Sequence, residues 1–433
     1  MTEREAVAHL LRRATFGPTA DEVDAAEHEG LARTLDRLLN PAASDPGVAA
    51  TPTPRLGPDP AAKLGGDATR EQRQEANQRR REQVTGLTEW WLGRMVAAEH
   101  QLTEKTLFFW HGHWATSVQK VRSAPLMLRQ LDTLRRLGRG PLAPLVEGMV
   151  QDPALILWLD GQKNTRTAPN ENLARELMEL FTLGLDGGYT ETDVKEGARA
   201  LTGWTVDRRT GAARFAPRRH DPGPKTILGR RGAFDAGAYA RLLAGRPEAA
   251  RFVAGRLWFR FAGGQVPPPA DLAGPDTVAT LRRIFTRPAF AQTRDTLVKQ
   301  PVEWMVGAAR QLGVRPSALP AEQRRRLLAG LDALDQVPLR PPSVGGWPAG
   351  TAWLTTSSLQ AKLRIAGVLA DAAAPAVLAR LSAAPRDGRP EALARMLVVD
   401  RWSDRTRAAL APLAGAPHRL LVAGLVSPEY AVS

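Results

Sequence analysis

Two histidines separated by one residue, His111 and His113, sit in the aromatic run Phe108-Phe109-Trp110-His111-Gly112-His113-Trp114. Neutral imidazoles ligate metals, and an imidazole titrating near neutral pH moves protons. Side chains two residues apart diverge by about 200° on a helix, so this pair converges only on extended backbone. Gly112 permits such a backbone. A zinc site needs three or four ligands, so the pair requires a further carboxylate, for which Glu176 is the candidate. Without it, the two residues read equally as hydrogen-bonded histidines inside an aromatic cluster.

That carboxylate belongs to a second constellation. From Pro169 onward the spacing predicts a helix with Leu173, Ala174, Leu177, Met178, Leu180 and Phe181 on one side and Asn172, Glu176 and Glu179 as an i, i+4, i+7 stripe on the other. An amphipathic surface helix with a Glu171–Arg175 pair accounts for the same pattern. A polar seam would instead make Glu176 and Glu179 candidate catalytic groups, with Glu176 shared between catalysis and metal binding. Neither this helix nor the next supplies the Glu-x-x-His of a ferritin-like di-iron centre. Asp186-Gly187-Gly188 does not open an EF-hand, because Glu191 occupies the position that needs glycine. Thr190 with Asp193 caps the following helix. The third constellation is His220, Asp221 and Lys225, with His220 and Asp221 as an acid/base pair or, equally, as parts of a tight turn.

The elements that must position these groups are helices. Apolar spacing marks helical stretches from Glu3 to the C-terminal region, among them Thr19 to about Asn40, opened by a Thr19/Glu22 capping box. A long one between Thr69 and His100 faces the interior with Leu87, Trp90, Trp91 and Met95. Strand signal is confined to Ala213–Leu228, where two short runs flanking His220-Asp221-Pro222-Gly223 predict a ribbon. The fold class expected is mainly α: a multi-helix globular bundle with one short β-ribbon near 213–228. N-terminal helices fill 1–40 and a Pro/Ala/Gly-rich loop or insertion fills 41–68. A helical core bearing the polar groups covers 69–230, and a C-terminal helical region packed on it covers 231–433.

A net charge of +14 suggests nucleic acid as a partner, but 51 of the 59 basic residues are Arg and no recognised binding module accompanies them. The densest run, Arg79-Arg80-Arg81, lies among Glu71, Glu75 and Glu82 and reads as a solvated helix face, so nucleic acid is not the expected partner. With no cysteine, the chain can form neither a disulfide nor a thiolate site. No apolar run has signal-peptide or membrane-spanning length, which gives a cytoplasmic expectation, with export alongside a partner as the other route. Nor is there a G-x-S-x-G elbow, a phosphate-binding loop, a dinucleotide fingerprint or an H-E-x-x-H motif.

Several blocks resemble one family. They are His9-Leu10-Leu11-Arg12-Arg13-Ala14-Thr15-Phe16-Gly17, Glu104-Lys105, Phe109–Trp114, Pro169–Gly184, Tyr189–Val194, Ala200–Trp204, His220-Asp221 with Lys225, Lys299-Gln300-Pro301 and Gly345-Gly346-Trp347-Pro348. In order and content they are similar to the bacterial "domain of unknown function 1800" family, over nearly the whole chain. One departure is Gly112 with Trp114, where the family pattern resembles Trp-His-Asn-His-Phe; any hydrogen bond from that Asn is missing here. The resemblance implies no established reaction. Two functions stay open: a metal-assisted or carboxylate/His-dependent hydrolase or transferase, with a divalent metal as its cofactor in the first case, and a non-catalytic partner of a phosphatase/sulfatase-like protein encoded nearby. An enzyme requires Asn172, Glu176 and Glu179 to face His111 or His113 in one polar cleft, with the His220–Lys225 ribbon close by.

Overall fold

The computed structural model describes residues 1–433. The chain is 61% helical, with 24 α-helices and two small antiparallel two-stranded sheets, in agreement with the mainly α expectation. Two helices form the centre, buried nearly all round, with their polar side chains bonded inside the core. Gln101–His113 buries 11 of its 13 residues and Pro301–Gln311 buries ten of eleven. Around them lies one connected apolar cluster of 96 buried residues reaching from Val7 to Tyr430. No member of that cluster comes from 41–68; only Leu56 of that stretch leans against it.

The 41–68 stretch is mostly exposed but tied down on the Arg70–Ala97 helix. Buried Asp59 receives Arg80 at 2.6 and 2.8 Å, and the Trp90 indole donates to the Thr51 carbonyl at 3.2 Å. Arg79 pairs with Glu75 one turn away, as a solvated face should. The expected helix from Thr19 is two helices, Ala20–Glu29 and Leu31–Leu39, parted at Gly30. No single helix is long and apolar enough to cross a membrane.

The β pairing differs from the expected ribbon. Ala212–Phe215 pairs backwards with Trp204–Asp207, and Lys225–Ile227 pairs forwards with Arg230–Gly232. The reason is local: Leu228 and Gly229 both have positive φ (51° and 75°), the two-residue turn that matches strand twist, so the second hairpin closes on its nearest neighbour.

A buried charge cluster holds the central helices to the rest. Glu303 accepts from Lys105 and, at 2.8 Å, from Arg260, all inside the core. Burial opposes ionisation of Glu303, but the charges of Arg260 and Lys105 outweigh it and hold the carboxyl down to about 2. Arg13, also fully buried, donates to the carbonyls of Ala262 (2.9 Å) and Thr293. Removing one partner from such a cluster costs about 3–5 kcal/mol, because the other charge is left buried and unmatched.

Candidate functional site

His111 and His113 lie on regular helix up to the C-terminal turn of Gln101–His113, so the extended backbone expected at Gly112 is not formed and the two rings diverge. The His111 Nε2 accepts the Leu339 N–H at 3.0 Å, and its ring lies edge-on to Trp91 and Trp347. Its only lone pair is thereby used, and Nδ1 carries the proton. His113 has the opposite tautomer: Nε2 must donate to the Phe181 carbonyl at 2.9 Å, leaving an Nδ1 lone pair without a partner. Phe109, Trp110, Trp114, Phe181 and Phe252 surround it. Burial pushes both imidazoles down to about 3, with the Arg256 charge adding to the effect on His113, so both are neutral.

The helix after Pro169 is not uniform, which the wheel did not anticipate. Asn172–Glu176 is α-helical, but Leu177–Thr182 is a π-helix, with Leu183 N–H donating to the Met178 carbonyl five residues back at 2.8 Å. The Thr182 hydroxyl bonds the Leu177 carbonyl at 2.6 Å, reinforcing the wider turn. The helix end leaves carbonyls without intrahelical partners, and the one at Phe181 is the acceptor for His113. Gly184 then leaves the helix at φ +81°, where a Cβ would stand 2.8 Å from the Phe252 ring.

Beside this turn is a cleft of about 570 Å³ walled by His113, Glu179, Asp186, Arg251, Phe252 and Arg256, with Val344 and Gly345 at one side. Glu248 also lines it but is engaged by Arg251 at 3.2 Å and Arg246 at 3.0 Å. Glu176 and Glu179 are both half-buried and neighbouring. Burial and then the Glu179 charge raise the Glu176 carboxyl above its ordinary range. Arg175, the cation on the same helix, turns instead to Glu171 (3.1 Å) and Glu191 (2.7 Å). Glu176 does not reach the cleft, and Asn172 turns to the Leu159 carbonyl at 3.2 Å.

A family model for proteins of unknown function (DUF1800) matches residues 9–432. The chain belongs to this family. No curated protein matches it, and neither does any solved structure.

Of the residues singled out in this DUF1800 chain, the fold therefore brings His113 and Glu179 to one cleft. It does not assemble His111, His113 and Glu176 as ligands, and no group of three or more His, Asp or Glu side chains is arranged to hold a metal ion. Nor does the His220–Lys225 segment join the cleft, as had been expected. His220 Nδ1 lies 3.1 Å from the Thr202 hydroxyl and 3.0 Å from its carbonyl. Asp221 accepts from Arg199 at 2.6 Å, which holds its carboxyl below the ordinary range. Buried Lys225 donates to the carbonyls of Asp221 (2.6 Å) and Gly223 (3.0 Å), closing the turn on itself. The segment packs on the Glu191–Ala200 helix, whose Glu196 and Asp193 accept the Thr226 and Leu228 amides. Its polar groups are spent on that turn.

Sequence reasoning passed over the cleft wall from the Pro247–Phe261 helix, Arg251 and Arg256. Their block carries no motif, and only the tertiary approach to His113 gives them a neighbour to act with.

Proposed function

We propose that this DUF1800 member is an enzyme, a carboxylate/His-dependent hydrolase or transferase, working in the cleft between Glu179 and His113. The observation that carries the proposal is the unpaired carboxylate couple. Glu176 and Glu179 stand together half-buried, Arg175 on their own helix is committed elsewhere, and Glu179 shares a cleft with a neutral imidazole whose Nδ1 has no partner. Keeping two like charges side by side with no ion pair to either is costly, and such arrangements concentrate where a proton has to be moved. Glu179 would serve as the proton-transferring group, with Glu176 behind it. Arg256, whose side chain makes no hydrogen bond or ion pair, would hold a polar substrate group, with the neutral His113 ring as part of the wall behind it.

The test is turnover on a panel of chromogenic carboxylic, phosphoric and glycosidic esters by the purified chain. Glu179→Gln is expected to lower kcat by about 10²-fold or more, the usual contribution of a positioned acid/base. His220→Ala, outside the cleft, should leave kcat unchanged. Equal loss in both variants would sink the assignment. If the wild-type chain turns over nothing, the partner reading takes precedence, with Leu354, Leu359 and Leu363, each about half exposed, as the apolar stripe offered to a phosphatase/sulfatase-like protein.

A further inference from the structure

On a different part of the molecule, a cavity of about 860 Å³ opens between the first helix, the Arg294–Lys299 segment and the 398–407 segment. Lys299 lines it, and Lys299 is nine-tenths buried. Its position is fixed by the chain's last residues: its N–H donates to the Ala431 carbonyl at 2.9 Å, and Nζ donates to the Tyr430 carbonyl at 2.8 Å while lying 3.8 Å from the Tyr430 ring centroid. No carboxylate pairs with it. The charges that act on it most are Arg12, Lys105 and Lys362, against the carboxylate of Glu303, which already serves Lys105 and Arg260. The cavity wall also carries carboxylates, but Glu5 and Asp400 bind Arg294, Asp404 binds Arg407, and Glu429 accepts from Thr406.

Lysines become nucleophiles when desolvated or crowded by other cations, because both disfavour the ammonium form. Burial first, and then the Arg12 charge, bring the Lys299 amine down to about 7. Lys105 is equally buried, but its Nζ is occupied by Glu303 and the Thr15 carbonyl, and it does not border the cavity. The arginines lining the cavity differ in the same respect. Arg12 is clamped by Asp400 at 2.8 Å through both nitrogens, Arg294 also binds Asp400 at 2.8 Å, and Arg407 pairs with Asp404 at 2.9 Å. Arg401, exposed at the rim, has no acidic partner.

We propose that Lys299 is an imine-forming amine and that this cavity takes a small 2-oxo carboxylate, its keto carbon at Lys299 and its carboxylate on Arg401. In the step proposed, the neutral amine's lone pair forms a bond to the carbonyl carbon and the C=O π pair moves to oxygen, which takes up a proton as nitrogen releases one. The carbinolamine hydroxyl then leaves as water with a further proton from solvent, giving the protonated imine. One water is released for each carbonyl consumed, and nothing is oxidised or reduced.

The experiment is reductive trapping on the full chain near pH 7 with pyruvate and cyanoborohydride, which delivers hydride to the imine, followed by peptide mapping. The adduct is expected on Lys299 in preference to the exposed Lys63, Lys120, Lys163 and Lys195, which serve as internal controls. Arg401→Gln should raise the pyruvate concentration needed for half-labelling by about tenfold, the loss of one charge-assisted contact, and leave labelling by acetone unchanged. Lys299→Arg should abolish the Lys299-peptide adduct; where that variant fails to fold, the wild-type map and Arg401→Gln still decide. No adduct on Lys299, or labelling of it no greater than at the four exposed lysines, overturns the proposal. So does an Arg401→Gln effect that is the same for acetone and pyruvate.

Discussion

Three histidines, His9, His111 and His113, share one environment: each ring is buried, and each uses one nitrogen on a backbone group, the carbonyl of Phe290 or Phe181 or the amide of Leu339. Burial pushes all three down to about 3, with Arg13 contributing at His9. Their stabilising effect is complete above the unfolded-state value near 6.5 and is lost as pH falls from there towards 3, since the unfolded chain then binds protons the fold refuses. Asp152 runs the other way over part of this range, because burial raises its carboxyl to about 6 and the folded form keeps its proton as pH drops below that. Three groups against one leave a net loss on the order of 3 kcal/mol per pH unit below about pH 5.5. The urea midpoint is therefore expected to fall steeply between pH 6.5 and 5, before most carboxylates titrate. A flat midpoint over that interval would show that these rings are hydrated. The residue types at these positions were legible in the sequence; their roles were not, because a histidine's chemistry is set by which lone pair is free, and that depends on a carbonyl or amide 68 to 281 residues away.

Among the elements, the segment from Asn172 to Gly184 determines the cleft. An unbroken α-helix would have kept Asn172, Glu176 and Glu179 in one row; the π-helical turn widens the spiral so that Glu179 enters the cleft while Glu176 stays behind it. Gly184 ends the turn in the left-handed region with Phe252 pressed against it. Gly184→Ala is expected to cost about 1–2 kcal/mol for the conformation, with the overlap on Phe252 added. Gly188→Ala, at φ +71° with open space around it, carries the first cost alone. Urea denaturation should thus rank Gly184→Ala below Gly188→Ala in stability, and the reverse order would mean that Phe252 moves away freely. Capping at Thr19 and Thr190 was readable from residue types, because a hydroxyl and a carboxylate three residues on need only each other. The π-turn was not, since a 100° wheel assumes the regularity that the turn breaks.

At the scale of the whole molecule, the apolar cluster from Val7 to Tyr430 and the Lys105–Glu303–Arg260 cluster join the helices of 1–40, 69–230 and 231–433. Differential scanning calorimetry is expected to give one cooperative transition, because no set of helices in those segments can unfold without opening the common core. Two resolved transitions would assign the C-terminal helices a core of their own. By itself, the sequence determined the family, the mainly helical class, the exposed character of 41–68 and the caps, all of which rest on composition, periodicity or contacts within one turn. The pairing of the 213–228 strands is also local, set on one side by the Leu228-Gly229 turn, although apolar spacing did not reveal it. Tertiary structure alone decided that His220 and Asp221 are taken up by Thr202 and Arg199, and that His113 but not His111 reaches a cleft with Glu179. It also decided that Lys299 lies buried beneath Tyr430. Each of these depends on which distant backbone group or charge arrives to satisfy a polar side chain, and spacing along the chain carries no record of that arrival.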